Sequence, residues 1–450
     1  MIEQKLAPDL EKLKLDPIVI DTTTLTPEQV KDAQNSAGVE PKVYYHNVEF
    51  SVENIKSMVI RSTTFLPEIE IAFNDPTNIM LEKGFPTDNA IISVFVPSRS
   101  EMIKPIRADF KILTFVIDTV GTSVASYTIT GILNIGYMFV NEYRAYPGKT
   151  SWDVLKDIAM QCGLGFKSNI ENTQDNMNWI NTGLNVMEIV QDVTLHSWNG
   201  EASFMWCYVD LHYHLCYIDV EAALRDDTVN KGVINTTMSK LGENIPEVVD
   251  EIVLSNDSGA MATNGFFSKS IIINKSTAVS LDQGYKCAAY YYDRSGNWEK
   301  KAGSFLTFEI DSLTTPGSES TSLIMKGRPT NDEEFFKSNI GLDYVGKIDT
   351  DNVHSEYAYA KVQNTHNINN MEKVSQTITM PNHNMNLKRF EKVKVRMSNG
   401  TDRPTLNEVN ERLSGQWLVI GLTYSFDQRN KMTQYVNVVK RELNVLDVSK

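Results

Sequence analysis

Short hydrophobic runs dominate the chain from about residue 43 to residue 140. MVIRSTTF, EIEIAF, AIISVFV, FKILTFVI and SYTITGIL are rich in Val, Ile, Thr and Phe, and turn-forming segments such as NDPTN separate them. β-branched and aromatic residues favour strands, and closely spaced short strands are typical of antiparallel barrels and sandwiches. The pattern predicts a first β-barrel over residues 43–148. It follows an N-terminal arm, residues 1–42, with one helix beginning near Thr26.

Two segments in the middle of the chain show helical periodicity. In TSWDVLKDIAMQCG, Thr150 is a plausible N-cap, Gly163 ends the run, and one face carries Leu155, Ile158, Ala159 and Cys162. In TGLNVMEIVQDVTLHSW the corresponding face carries Val186, Ile189, Val190 and Val193. The polar stretch SNIENTQDNMNWIN between them predicts a loop. EASFMWCYVDLHYHLCYIDV predicts a hairpin that reverses near Asp210, so residues 149–228 form an α/β insert.

The rest of the chain is again rich in strand patterns. IIINK, YKCAAYYYD and GSFLTFEI predict a second, β-rich insert over residues 263–370, with TTPGSESTS as an exposed loop. Clear alternation returns in VSQTITM, EKVKVRM, QWLVIGLTYSF and TQYVNVVKREL. In EKVKVRM one face carries Val393, Val395 and Met397, and the other carries Lys392, Lys394 and Arg396. Residues 229–262 plus 371–450 are predicted to form a second β-barrel, which makes the chain a β-rich α+β protein.

Composition and charge narrow the functional classes. A chain of 450 residues with 41% hydrophobic and 22% charged residues has the composition of a folded, multidomain protein. Its formal net charge of −14 makes it a poor nucleic-acid binder, although it could form the wall of a conduit. No run approaches the ~20 apolar residues that cross a bilayer, so no membrane insertion is expected. The opening MIEQKLAPDLEKLKLD lacks the apolar core of a signal peptide, which predicts maturation in a cytoplasm.

Catalytic and cofactor signatures are missing from the sequence. There is no Walker loop, no GxGxxG after a strand, no HExxH and no GxSxG, so no catalytic residue and no cofactor is predicted. GLGFKS is interpreted as a helix C-cap. The carboxylate pairs fit a solvated surface; they are Asp226 with Asp227, Glu333 with Glu334, and Asp349 with Asp351. The expectation is a protein that is not an enzyme.

One cluster has metal-ligand chemistry. His212, His214 and Cys216 alternate along the predicted hairpin, so their side chains would share one face. The alternative is a half-buried hairpin face beside Trp206 and Tyr208, and the sequence leaves both open. The cysteines (Cys162, Cys207, Cys216 and Cys287) show no CxxC pair and are expected to be small buried hydrophobes. The tyrosines of YKCAAYYYD (Tyr285, Tyr290, Tyr291 and Tyr292) could stack on bases or sugars, or simply pack.

Several segments resemble the central baseplate hub proteins of contractile-tailed phages. In this family a first barrel ends in a helix of the form T-x-x-D-V-L-x-x-I-x-x-x-x-G-L, which TSWDVLKDIAMQCGLGF matches. A polar loop with an exposed tryptophan, a second helix and an aromatic hairpin follow, here Trp179 in NMNWIN, the helix through Val193, and MWCYVD with LCYID. FLPEIEIAFNDPTNIMLEKGFPTDNAIISVFV resembles the strands of the first barrel. YVGKIDTDNVHSEYAYAKVQNTHNINNMEKVSQTITM and GQWLVIGLTYSFDQRNKMTQYVNVVKREL resemble the closing barrel.

The resemblance covers most of residues 43–447 and extends to late-control D proteins and the base of type VI secretion spikes. It implies two tube-like barrels per chain and a homotrimer whose six barrels join a six-fold tail tube to a three-fold spike. Implied partners are the tube proteins, the spike and surrounding wedge or ring proteins, with DNA only passing through the lumen. The implied location is the virion, assembled in the host cytoplasm. The alternatives are a cell-wall hydrolase, a receptor- or carbohydrate-binding tail protein using residues 285–298, or the hub of a bacterial contractile injection system.

Overall fold

The structure is a computed structural model. It describes residues 41–45, 48–50, 52–76, 85, 87–96, 106–119, 125–201, 203–225, 251–254, 269–275, 278, 286–293, 305–311, 340–348, 352–380, 387–397, 413–428, 432–440 and 443. The predicted helix near Thr26 and the predicted loop TTPGSESTS lie outside these residues.

The described residues form mainly β-strands. The strands are β1 (Lys42–Tyr45), β2 (Val48–Glu49), β3 (Ile55–Ser62), β4 (Glu68–Asp75), β5 (Ile91–Val96), β6 (Ile106–Thr119), β7 (Ala125–Leu133), β8 (Asn141–Lys149), β9 (Gly165–Ser168), β10 (Met177–Asn185), β11 (Met205–Val209), β12 (His214–Asp219), β13 (Glu251–Leu254), β14 (Lys269–Asn274), β15 (Lys286–Asp293), β16 (Phe305–Asp311), β17 (Ile340–Ile348), β18 (Val374–Met380), β19 (Lys392–Met397), β20 (Gly415–Asp427) and β21 (Met432–Lys440). The helices are α1 (Ser151–Gln161), α2 (Val186–Leu195), α3 (Val220–Arg225) and α4 (Tyr357–Met371), and short 3-10 turns span Val52–Asn54 and Gly136–Phe139.

One large sheet runs through both ends of the sequence. Its strand order is β14-β18-β21-β20-β3-β4-β7-β6-β5-β1-β2, with β19 on β20 and β13 on β19. The N-terminal β module (β1 to β7) and the C-terminal β module (β13, β14 and β18 to β21) meet where β20 pairs antiparallel with β3. The register there sets Leu422 opposite Ser62 and Asp427 opposite Ser57. Two predicted β regions, more than 300 residues apart in sequence, therefore share one hydrogen-bonded sheet.

The core of the N-terminal module is an aromatic cluster beneath this sheet. Phe73 stacks on Tyr127 with ring centroids 4.8 Å apart, and Phe50 lies 4.5 Å from Phe73. Phe85 packs edge-on against Tyr45 at 4.6 Å. All five rings are almost fully buried, which explains why β4 alternates strictly between covered and half-exposed positions.

The two predicted helices of the α/β insert, α1 and α2, form as their patterns predict, whereas α3 was not predicted. Thr150 caps α1 by accepting a bond from the backbone N–H of Asp153, and Gly163 follows in the left-handed region at φ +67°. In α2, Asn185 and Glu188 form a reciprocal capping box. The predicted inner faces are buried, namely Leu155, Ile158 and Ala159 on α1 and Val186, Ile189, Val190 and Val193 on α2. Cys162, predicted on the same face, lies at the C-cap and is half-buried.

Helix α4 was not predicted. It lies in the segment assigned to the β-rich insert and packs against both α2 and the β16-β15-β17 sheet. Asn364 is buried and its Nδ2 donates to the carbonyl oxygens of Leu195 (2.9 Å) and Ser197 (3.0 Å), while its Oδ1 accepts from the Met205 N–H at 2.9 Å. Gln363 Nε2 donates to Ser203 O. A helix with this many buried amides is held in place by its neighbours.

The structure confirms the β-rich α+β class and corrects several local predictions. Trp179 was expected to be exposed on a polar loop; instead it is buried in β10, where its Nε1 donates to Lys149 O at 2.9 Å. Pairing of β10 with β8 converts the end of that stretch into a strand. Lys392, assigned to the polar face of its strand, is buried, and its Nζ donates to Leu224 O at 3.1 Å. The five domain boundaries stay predictions, although β14 lies in the large sheet, beyond the boundary drawn at residue 263.

Candidate assembly surfaces

The large sheet has one face without a packing layer in the described part of the chain, and we call it the open face. Residues directly opposite each other on neighbouring strands point to the same face of a sheet, so the strand register identifies the residues of the open face. They are Ile271 and Ile273 on β14; Ser375, Thr377 and Thr379 on β18; Thr433, Tyr435 and Asn437 on β21; Thr423 and Ser425 on β20; Ser57, Val59 and Arg61 on β3; Glu68, Glu70, Ala72 and Asn74 on β4; Ser126, Thr128, Thr130 and Ile132 on β7; and Thr114, Val116 and Asp118 on β6. Hydroxyl and amide side chains predominate, and Arg61 is ion-paired to Glu70 at 2.7 Å.

A buried arginine holds the joint between the two β modules. Arg389 is 5% exposed; its Nε donates to Ile420 O (2.7 Å), and its Nη1 and Nη2 donate to Thr64 O (2.7 Å) and Thr63 O (3.2 Å). Its guanidinium carbon lies 4.3 Å from the ring centroid of Tyr208, on the insert hairpin. Burial lowers the pKa of Arg389, and Tyr208 and Cys216 oppose that effect. One side chain therefore connects both β modules and the α/β insert.

The two ends of the eight-strand segment β14-β18-β21-β20-β3-β4-β7-β6 carry exposed apolar side chains. On β6, Leu113 is 60% exposed and Val116 is 62% exposed, although both lie within a strand. On β14, Ile271 is 69% exposed and Ile273 is 48% exposed. β5 covers β6 only as far as Lys111, so residues 113–119 extend past it.

A third apolar surface lies on the β8-β10 pair, and we call it the apolar ribbon. Tyr143 is 84% exposed and its ring lies against Gly183, where an added Cβ would be 2.9 Å from the tyrosine oxygen. Ile180 and Leu184 on β10 are also exposed. Exposed apolar groups that share one face commonly mark contact with other proteins.

The predicted metal cluster is arranged differently from its sequence interpretation. His214 and Cys216 lie on β12, but His212 lies in the turn before it, where Tyr213 adopts a left-handed φ of 59°. Asp210 organises that turn: its Oδ1 accepts from the backbone N–H groups of His212 and His214, both at 2.9 Å, and its Oδ2 accepts from Lys167 Nζ at 2.9 Å. The three residues therefore do not form one face of a strand.

The electrostatics of this hairpin point to a locked turn. Burial alone would raise the pKa of Asp210, but its hydrogen bond from His214 and the positive charge of Lys167 hold that pKa well below its usual range. Burial raises the pKa of Cys216, so its thiol stays protonated and donates weakly to His214 O at 3.7 Å. Within the described residues, no group of three or more His, Cys, Asp or Glu side chains is arranged to hold a metal ion.

The other residues singled out by sequence divide between the described and undescribed parts of the chain. Burial raises the pKa of Cys207 to about 12, and Cys287 lies on β15. Tyr290, Tyr291 and Tyr292 also lie on β15, which pairs with β16 and β17. Outside the described residues are Tyr285, Trp298, Asp226, Asp227, Glu333, Glu334, Asp349 and Asp351. Among the described helices, none combines the length and hydropathy needed to cross a bilayer.

Solved structures of two tail proteins have a similar architecture. A tail protein from Neisseria meningitidis MC58 superposes with a TM-score of 0.51 at 10% identity, over 90% of this chain and 97% of that one. A 43 kDa tail protein of prophage MuSo2 from Shewanella oneidensis gives a TM-score of 0.52 at 10% identity, over 90% and 99% of the two chains. The chain has the fold of these tail proteins. No protein-family model matches the sequence, and no curated protein matches it either.

The assembly surfaces themselves were missed at the level of sequence. FKILTFVI, whose last five residues lie in the exposed part of β6, carries apolar side chains on both of its alternating faces. A strand that is apolar on both faces either lies inside a protein or awaits a partner, and this was the available signal. Arg389 gave no local signal of its role, because two of its carbonyl partners, Thr63 and Thr64, lie more than 300 residues away along the chain.

Proposed function

We propose that this chain is a non-enzymatic structural subunit of a contractile phage tail: the central baseplate hub, a homotrimer that joins the six-fold tail tube to the three-fold spike. The observation that carries the proposal is the single sheet built from two β modules, in a chain with the fold of two tail proteins, one of them from a prophage. Two modules per chain let three copies present six positions, which suits a junction between six-fold and three-fold partners.

The open face suits the lumen of a genome-ejection channel. DNA affinity comes largely from Lys and Arg neutralising phosphates. The open face is mostly Ser, Thr, Asn and Tyr, and Arg61 is paired to Glu70. With a formal net charge of −14, such a wall would let DNA pass without holding it. A basic lumen in the assembled ring would count against this role.

The remaining surfaces suit the other proposed partners. The apolar ribbon, built around Tyr143, Ile180 and Leu184, would contact wedge or ring proteins, and the ends of the β modules would contact tube and spike. The proposal assigns no catalytic step, cofactor or membrane insertion to the chain. The corresponding hub of a bacterial contractile injection system shares the same physical requirements.

Immunogold labelling of purified contractile particles from the source strain tests this function, with mass spectrometry of the same particles for copy number. We expect the protein in the particles at three copies per tail, with gold at the tail end that carries the spike. Gold spaced along the tube would instead indicate a tube subunit. Gold on fibre tips would indicate a receptor-binding protein, and absence from particles would rule out any virion role.

A further inference from the structure

The two exposed strand edges of the sheet are suited to each other. In the described part of the chain, residues 113–119 of β6 pair on one side with β7, and β14 pairs on one side with β18. The six residues of β14 are close in length to this segment of β6. Long apolar strand edges drive aggregation unless a partner covers them. Exposed Leu113 and Val116 at one edge and Ile271 at the other therefore call for a strand partner.

Strand direction determines how such edges could meet. Every neighbouring pair from β14 through β18, β21, β20, β3, β4 and β7 to β6 is antiparallel. This path from β14 to β6 contains eight strands, an even number, so β14 and β6 run in opposite directions. Rotation about an axis roughly along the strands preserves each direction. It therefore brings β6 of one copy against β14 of the next in an antiparallel arrangement, continuing the alternation around a closed ring.

The side chains on each face also match across such a joint. Val116 lies on the open face, as do Ile271 and Ile273. Phe115 and Ile117 lie on the opposite face, level with buried Ile129 and Tyr127, and Ile272 of β14 lies on that same face. Pairing the edges would place apolar groups beside apolar groups on both faces, as cross-strand packing favours.

We propose that residues 113–119 of β6 form an antiparallel pair with β14 of a second copy, and that this head-to-tail joint closes the ring. The inference rests on the proposed trimer and identifies its contact. Each copy supplies one edge of each kind, so the interface is heterologous and repeats from copy to copy. Self-pairing of β6 with β6, or of β14 with β14, would instead give isologous dimers.

Disulfide cross-linking between full-length chains tests the joint. We would prepare V116C, I271C and I273C chains separately, because these side chains are exposed and a cysteine there should not disturb folding. Val116 could lie opposite either Ile271 or Ile273, depending on the register of the two strands. Mixing V116C chains with I271C chains or with I273C chains should therefore give cross-linked dimers on oxidation in one of the two mixtures. The double variant V116C/I271C or V116C/I273C should extend to trimers. Wild type, with its four cysteines, and an I180C chain on the apolar ribbon are the controls.

The outcomes separate this proposal from the proposed function. Cross-linking of V116C or I271C alone would mean isologous pairing and would overturn the joint. A ring seen by native mass measurement without cross-linking at either register would overturn the joint and leave the hub function standing. Wild-type chains that form no ring, alone or with tail partners, would count against both.

Discussion

Replacing Arg389 by methionine tests the joint between the two β modules. The change keeps much of the side-chain volume but removes three hydrogen bonds to carbonyl oxygens and the stacking on Tyr208. Each bond from a charged donor contributes ~1.5–3 kcal/mol, and removal also leaves the carbonyls unsatisfied. Relief of the desolvation cost of a buried guanidinium offsets part of this loss. We expect Arg389→Met to lower the free energy of unfolding by about 3 kcal/mol.

The assay is urea unfolding followed by tryptophan fluorescence. Trp206 packs against Phe390, the residue next to Arg389, so its emission should report this region. Lys388→Met is the matched control, because that side chain is 69% exposed and its Nζ lies 3.5 Å from Glu391 Oε1, a long surface ion pair. Arg389→Lys should show a smaller loss, about 2 kcal/mol, since one ammonium cannot reach all three carbonyls. If Arg389→Met matches Lys388→Met within about 0.5 kcal/mol, Arg389 does not hold the joint.

Three further changes test the helix packing and the hairpin turn. Asn364→Leu should lower the free energy of unfolding by about 3 kcal/mol in the same urea assay, because it removes the hydrogen bonds that hold α4 against the α/β insert. An unchanged unfolding midpoint would show that these bonds do not hold α4 in place. Burial lowers the pKa of His354 in the folded chain, so stability is full above the unfolded pKa of about 6.5 and falls as the pH drops below it. His354→Gln should show a shallower loss on acidification in urea midpoints, and an equal slope would contradict this. Gly165→Ala should lower the free energy of unfolding by about 1–3 kcal/mol, because the added Cβ would lie 2.5 Å from His214 Cδ2. Gly136→Ala is the control, since a Cβ there meets nothing within 4 Å and stability should hardly change. Thermal unfolding measures both, and similar effects from the two changes would refute the tight contact.

Local signals were enough to predict helices α1 and α2 of the α/β insert and most strands. The capping of α1 by Thr150 and the buried face of α2 follow from periodicity and cap chemistry within a few residues. The hairpin reversal at Asp210 is equally local, and β11 and β12 pair around it as predicted. Where residues that are close in sequence are also in contact, the pattern of residue types predicts the local structure.

Features that depend on distant partners could not be predicted. Helix α4 has the sequence YAYAKVQNTHNINNM, whose asparagines disfavour a helix. It forms because buried amides such as those of Gln363 and Asn364 hydrogen-bond to the α/β insert. Trp179 lies in a polar stretch whose pairing with β8 buries it. The β20-β3 joint and Arg389 connect segments that no local pattern relates. Tertiary contacts override local propensity at each of these places.

The most direct test of the account is the native mass of the purified wild-type chain, with negative-stain images of the same sample. The account predicts a ring of three copies, about 152 kDa from three chains of 50.8 kDa, with an open lumen and six barrel-like lobes. A dimer, or a chain that stays monomeric even with a spike protein present, would contradict the claim that the two strand edges close a three-fold hub.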